Sequence, residues 1–96
     1  MPRPRLPRRV SFSPNSDYFK PVGIPLRNLE TEVLDYDEIE AIRLIDHDEL
    51  EQTKACKKMN ISQSTLSRLL SSGRKKISQA LIHGKAIKIQ KEEFQE

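Results

Sequence analysis

The sequence predicts a mainly α fold: a three-helix domain containing a helix-turn-helix, with an extended N-terminal arm and a short two-stranded β ribbon. Three observations carry this prediction. Residues 49–76 read as a short helix, a turn centred on Asn60 and a longer basic helix. Apolar residues before and after that turn recur three and four positions apart, the spacing of one helix face. The first nine residues interleave Pro2, Pro4 and Pro7 with Arg3, Arg5, Arg8 and Arg9, and proline blocks helix.

The 96 residues suffice for one small domain. With hydrophobic residues at 35% and aromatics at 5%, the core must be modest and aliphatic, which favours pairing with a second copy, so a homodimer is expected. No apolar run approaches the ~18 residues of a membrane span, and no apolar stretch follows the basic start, so a cytoplasmic protein is expected. Cys56 is the one cysteine and cannot close a disulfide within the chain.

Charge is segregated along the chain. Residues 1–20 carry +4, residues 21–52 carry −8 and residues 53–96 carry +7, which sum to the net +3. Nothing between Thr53 and Lys91 is acidic, while ten residues there are Lys or Arg. A one-signed half points to a polyanion partner, and double-stranded DNA is the partner expected.

Three segments follow. Residues 1–33 form the basic arm and an irregular packing segment, residues 34–84 the helix-turn-helix domain, and residues 85–96 a short strand and a frayed tail. For the arm two readings stand: Arg3, Arg5, Arg8 and Arg9 follow a narrow minor groove, or they form a solubilising tail. Val10-Ser11-Phe12 alternates as a strand does, and Tyr18-Phe19 is expected to pack against the helices. Val22, Ile24, Leu26 and Leu29, broken by Pro21, Gly23 and Pro25, read as an irregular stretch with one helical turn from Pro25.

Asp35 and Glu38 are spaced as a capping box for a first helix, 36–46, with Ile39, Ile42 and Ile45 as its inner stripe and Ala41 and Leu44 beside it. Asp37, Glu38 and Glu40 are read as solvated charge favoured by the helix dipole. Asp46, Asp48 and Glu49 around His47 have metal-ligand chemistry, but no second cluster joins them, so no metal and no cofactor is expected. The second helix, from Leu50 or Glu51 to Lys58, turns Ala55, Cys56 and Met59 inward and Lys54, Lys57 and Lys58 outward. Asn60 suits the left-handed turn, Ile61 plugs the space between helices, and Ser62 caps the third helix.

That helix, about 62–82, has Leu66, Leu69, Leu70, Gly73, Ile77 and Leu81 as its core stripe. Its other face places Gln63, Ser64, Ser67 and Arg68 on the early turns, where a recognition helix reads base edges in the major groove. Ser62, Thr65, Ser71, Arg74, Lys75 and Lys76 are expected to meet the DNA backbone. Gly84 ends the helix, and residues 86–90 alternate as a strand that pairs with residues 10–12, within one chain or across a dimer.

These residues carry a resemblance. Residues 34–81, with Glu38-Ile39-Glu40-Ala41-Ile42-Arg43-Leu44, Met59-Asn60-Ile61-Ser62 and Thr65-Leu66-Ser67-Arg68-Leu69, resemble the helix-turn-helix of sigma factor region four. The whole chain is similar to an uncharacterised prokaryotic family of small predicted DNA-binding proteins, through Met1-Pro2-Arg3-Pro4-Arg5, Tyr18-Phe19-Lys20-Pro21 and His83-Gly84-Lys85-Ala86-Ile87. The resemblance implies a sigma-region-four-like fold and DNA binding. Many relatives carry a Cys near positions 6–7, where this chain has Leu6 and Pro7.

The sequence thus supports a DNA-binding transcriptional regulator without catalytic activity. The alternative is a protein-interaction adaptor contacting RNA polymerase. No paired nucleophile and base, phosphate loop or spaced metal set supports an enzyme.

Overall fold

The computed structural model describes Val10 and residues 17–90. Among these, two strands precede the helices and one follows them. Strand β1 is Tyr18–Phe19, a 3-10 turn spans Leu26–Asn28, and β2 is Thr31–Asp35. Helix α1, Tyr36–Ile42, widens into one π-helical turn at Arg43–His47; α2 is Gln52–Met59, α3 is Gln63–His83 and β3 is Ala86–Gln90. No helix among the described residues is long and apolar enough to cross a membrane.

The sheet has three strands in the order β1-β3-β2. β3 lies at its centre, antiparallel to β1 with Phe19 opposite Ile87, and parallel to β2 with Thr31 opposite Ala86 and Asp35 opposite Gln90. This replaces the expected two-stranded ribbon. β3 does pair upstream, but with 18–19 and 31–35; Ser11 and Phe12 lie outside the described residues. A parallel pair needs a long crossover, and here all three helices supply it. β2 straddles the boundary drawn at residues 33 and 34 and pairs with β3, so the segments before and after the helices meet in one sheet.

β2 runs directly into α1 because Asp35 ends the strand and caps the helix. Its backbone N–H donates to Glu38 Oε1 at 2.9 Å, forming the expected capping box. The inner face of α1 differs from expectation. Ala41 and Leu44 are fully buried, whereas Ile39, Ile42 and Ile45 are half-buried around them. Asp37, Glu38 and Glu40 are buried too, at 6%, 3% and 1% exposure, so they are not solvated charge. For Glu38 and Glu40, ion pairs and hydrogen bonds replace the lost water, as described below.

The main core joins Ala41 and Leu44 to Ala55, Cys56 and Met59 of α2 and to Leu66 and Leu70 of α3. Cys56 is a buried free thiol packed as a small hydrophobe. A second apolar layer, Leu34, Ala80, Ala86 and Ile89, is buried where α3 meets the sheet. Leu81, expected in the core, is 76% exposed: Ala80, one position earlier on the 3.6-residue repeat, takes the inward place. Tyr18 and Phe19 are 41% and 56% exposed rather than packed on helices, because the sheet recruits their backbone. The turn expected at Pro25 forms, yet Val22, Ile24 and Leu26 stay exposed.

Helices α1 and α3 cross at Gly73. A Cβ there would stand 2.8 Å from Ile42 Cδ1 and 3.3 Å from Glu38 Cβ. Alanine gains roughly 1 kcal/mol of helix propensity over glycine, which offsets a comparable clash at a movable methyl. Gly73→Ala should therefore be near neutral in a chemical denaturation experiment. Gly73→Val, which overpacks the crossing, should lose about 1–3 kcal/mol.

Candidate nucleic-acid interface

The turn between α2 and α3 is built by local chemistry. Asn60 adopts the left-handed conformation, φ 57° and ψ 50°, which asparagine tolerates better than other non-glycine residues. Its N–H bonds to Lys57 O at 3.3 Å, and the Ile61 N–H to Cys56 O at 3.1 Å, closing the end of α2. Ile61 then packs against the core between the helices. Ser62 is extended and its Oγ accepts the Thr65 N–H at 3.2 Å, starting α3. Gly84, at φ 64°, ends it through an N–H bond to Ala80 O.

Gln63, Ser64, Ser67 and Arg68 all lie exposed on the first two turns of α3. Arg68 Nη2 reaches Thr65 Oγ1 at 3.4 Å, and Thr65 is half-buried beside the cap. Ser62, Ser71 and Lys75 are exposed along the same helix, and Lys54, Lys57 and Lys58 are exposed on α2. Arg3, Arg5, Arg8 and Arg9 lie outside the described residues.

Two of the cations expected on the DNA backbone are engaged within the chain. Arg74 donates from Nε and Nη2 to the two oxygens of Asp46, at 3.1 and 2.6 Å. This holds the Asp46 carboxyl below its ordinary range. Lys76 is half-buried, its ammonium 2.7 Å from Glu38 Oε1, while Ser72 Oγ donates to Glu38 Oε2. Burial pushes the Glu38 carboxyl up. The bonds from Lys76, Ser72 and the Asp35 N–H outweigh it and leave the group below its ordinary 4.5. Neither acid was singled out from sequence for these roles. The capping-box spacing accounted for Glu38 locally, and no local pattern links Asp46 to α3.

Beside His47, Asp48 is likewise committed to ion pairs. Asp48 meets His47 Nδ1 at 2.6 Å and Arg43 Nη1 at 2.9 Å, and Arg43 also holds Glu40 at 2.7 Å. Among the described residues no group of three His, Cys, Asp or Glu is placed to hold a metal ion. Lys85, at the end of α3, is paired with Glu32 at 3.0 Å and Glu30 at 3.4 Å.

The molecule is thus a small, mainly helical protein with three helices, a three-stranded sheet and a long helix whose outward face is free of acidic residues. It belongs to the family described as protein of unknown function DUF134, whose model matches residues 1–96. Similar chains include UPF0251 proteins of Moorella thermoacetica and Caldanaerobacter subterraneus, each 49% identical over 90 residues. That match takes in 94% of this chain, but 60% of the first relative and 76% of the second. An archaeal UPF0251 protein, from Methanococcus maripaludis, is 45% identical over 87 residues, which are 91% of this chain and 66% of that relative. The chain therefore spans well under the full length of these curated relatives. No solved structure matches.

Two outcomes are expected at the Glu38 contact. Lys76→Met leaves a buried carboxylate without its ammonium and should lower unfolding free energy by about 2–3 kcal/mol in urea titration. Because the folded pKa of Glu38 is lowered, its stabilisation is complete above its ordinary value and is lost as pH falls through the folded one. Acidification from about pH 5 to pH 3 should thus destabilise the wild type more than Glu38→Gln. Asp35, raised chiefly by burial, acts in the opposite direction and is present in both proteins.

Proposed function

We propose that this chain is a sequence-specific DNA-binding protein and a transcriptional regulator, with α2, the Asn60 turn and α3 forming a helix-turn-helix of the sigma-region-four kind. The observation that carries the reading is the outward face of α3. Gln63, Ser64, Ser67, Arg68, Ser71 and Lys75 are exposed on a helix entered through a left-handed turn, with no acid in its own sequence. Gln and Arg match adenine and guanine edges, and Ser bonds bases or phosphates. In this reading the early turns of α3 enter the major groove and Lys75 meets the backbone. A homodimer would present two such helices to a palindromic site.

A second reading, a protein-interaction adaptor contacting RNA polymerase, draws on the exposed apolar residues at the far end of α3. Leu81 and Ile82 are 76% and 77% exposed, and Leu81 shares a shallow groove with Phe19 and Pro21. Capture of polymerase by the tagged chain that survives nuclease digestion would favour this reading over direct DNA binding.

Gel shift on random-sequence duplex at low and high salt tests the first reading. Binding should be measurable at low salt and fall steeply as salt rises, and absence of binding at low salt would exclude it. On sites selected from a random pool, Arg68→Ala should cost about 1–3 kcal/mol and relax base preference at one position. Lys75→Ala should weaken all sequences alike and reduce the salt slope by about one. Identical behaviour of the two variants would refute this division of roles.

A further inference from the structure

The exposed pair between Asp46 and Arg74 serves no evident structural purpose. Arg74 side chain is 51% exposed and Asp46 42%, and surface ion pairs of this kind add little to folding. Yet its geometry is specific. The Nε and Nη2 groups of Arg74 meet the two carboxylate oxygens at 3.1 and 2.6 Å, a two-point fork. A phosphate offers a guanidinium the same pair of oxygens. Arg74 follows Ser67 and Ser71 at seven and three positions, so it lies on their stripe, about 16 Å along the helix from Gln63. Between Thr53 and Gln90 the chain has no acid. The carboxylate on this stripe is brought in from the π-helical turn that ends α1. Among the described residues two acids meet α3 in ion pairs, and of these Glu38 is buried and Asp46 exposed.

We propose that Asp46 is a built-in stand-in for a DNA phosphate, occupying the fork of Arg74 and holding that cation out of sequence-independent contact with the backbone. The inference rests on the DNA-binding reading above. With Asp46 in place the pair approaches DNA electrically neutral. A phosphate gains Arg74 only by displacing a carboxylate that stays ionised beside it. Removing the carboxylate releases one more cation to the phosphates, and counterion release then counts one more phosphate.

The test uses the full chain and a fluorescent random-sequence duplex, titrated by anisotropy over a salt series. Four proteins are compared: wild type, Asp46→Asn, Arg74→Gln and the double variant, each checked by circular dichroism melting. Asp46→Asn is expected to bind about three- to tenfold tighter near 0.1 M salt and to steepen the slope of log K against log salt by about 0.9. In the Arg74→Gln background the same change should leave the slope where it was. An equal change of slope in both backgrounds would mean that Asp46 only repels DNA, and would overturn the proposal. Asp46→Asn with wild-type affinity and slope would remove this inference while leaving the DNA reading intact. A wild type that does not bind at low salt would remove both.

Discussion

The carboxylate of Glu38 is the contact on which the arrangement of helices depends. It takes the Asp35 N–H where strand becomes helix, and it takes Ser72 and Lys76 from the middle of α3. Removing a carboxylate from water is unfavourable unless hydrogen bonds and an opposite charge replace the solvent, and three donors do so here. Gly73, between those donors in sequence, lets the two helices approach closely enough for the contact to form. One side chain thereby ties β2, α1 and α3 together. With the inner side of α3 fixed in this way, the stripe bearing Gln63, Ser67 and Ser71 faces outward.

What was legible in the sequence is what neighbouring residues decide. The Asp35–Glu38 box, the left-handed Asn60, the Ser62 cap and the Gly84 stop each need only a few adjacent positions, and each is found. The exposed face of α3 followed from its periodicity in the same way. Strand β2 was not legible because its partner β3 lies beyond all three helices and its Val33-Leu34 pair breaks the alternation of a one-sided strand. The tertiary role of Glu38 was not legible because its partners are distant: Ser72 and Lys76 lie 34 and 38 positions away, just as Arg74 lies 28 from the exposed Asp46. Leu81 was misplaced by following a four-residue step where the core takes the three-residue step to Ala80.

The segregation of charge along the chain has a partly internal meaning. Acids of residues 21–52 meet basic residues of 53–96 at Glu38–Lys76, Asp46–Arg74 and Lys85 with Glu30 and Glu32. The acidic block therefore neutralises part of the basic half across the fold. Arg68 and Lys75 remain exposed, and they are the cations on which the proposed DNA contact draws.

The central position of β3 has a consequence for how the chain acquires its shape. Contacts within α1, α2 and α3 join segments that follow one another closely, and such contacts form early and fast. Both other strands depend on a partner that leaves the ribosome only after every helix has emerged. β1 and β2 wait for their sheet partner until β3 has been made, and the sheet closes through long-range contacts. A polar, charged β2 carrying Glu32 and Asp35 suits that wait, since charge discourages an open strand from pairing with another chain.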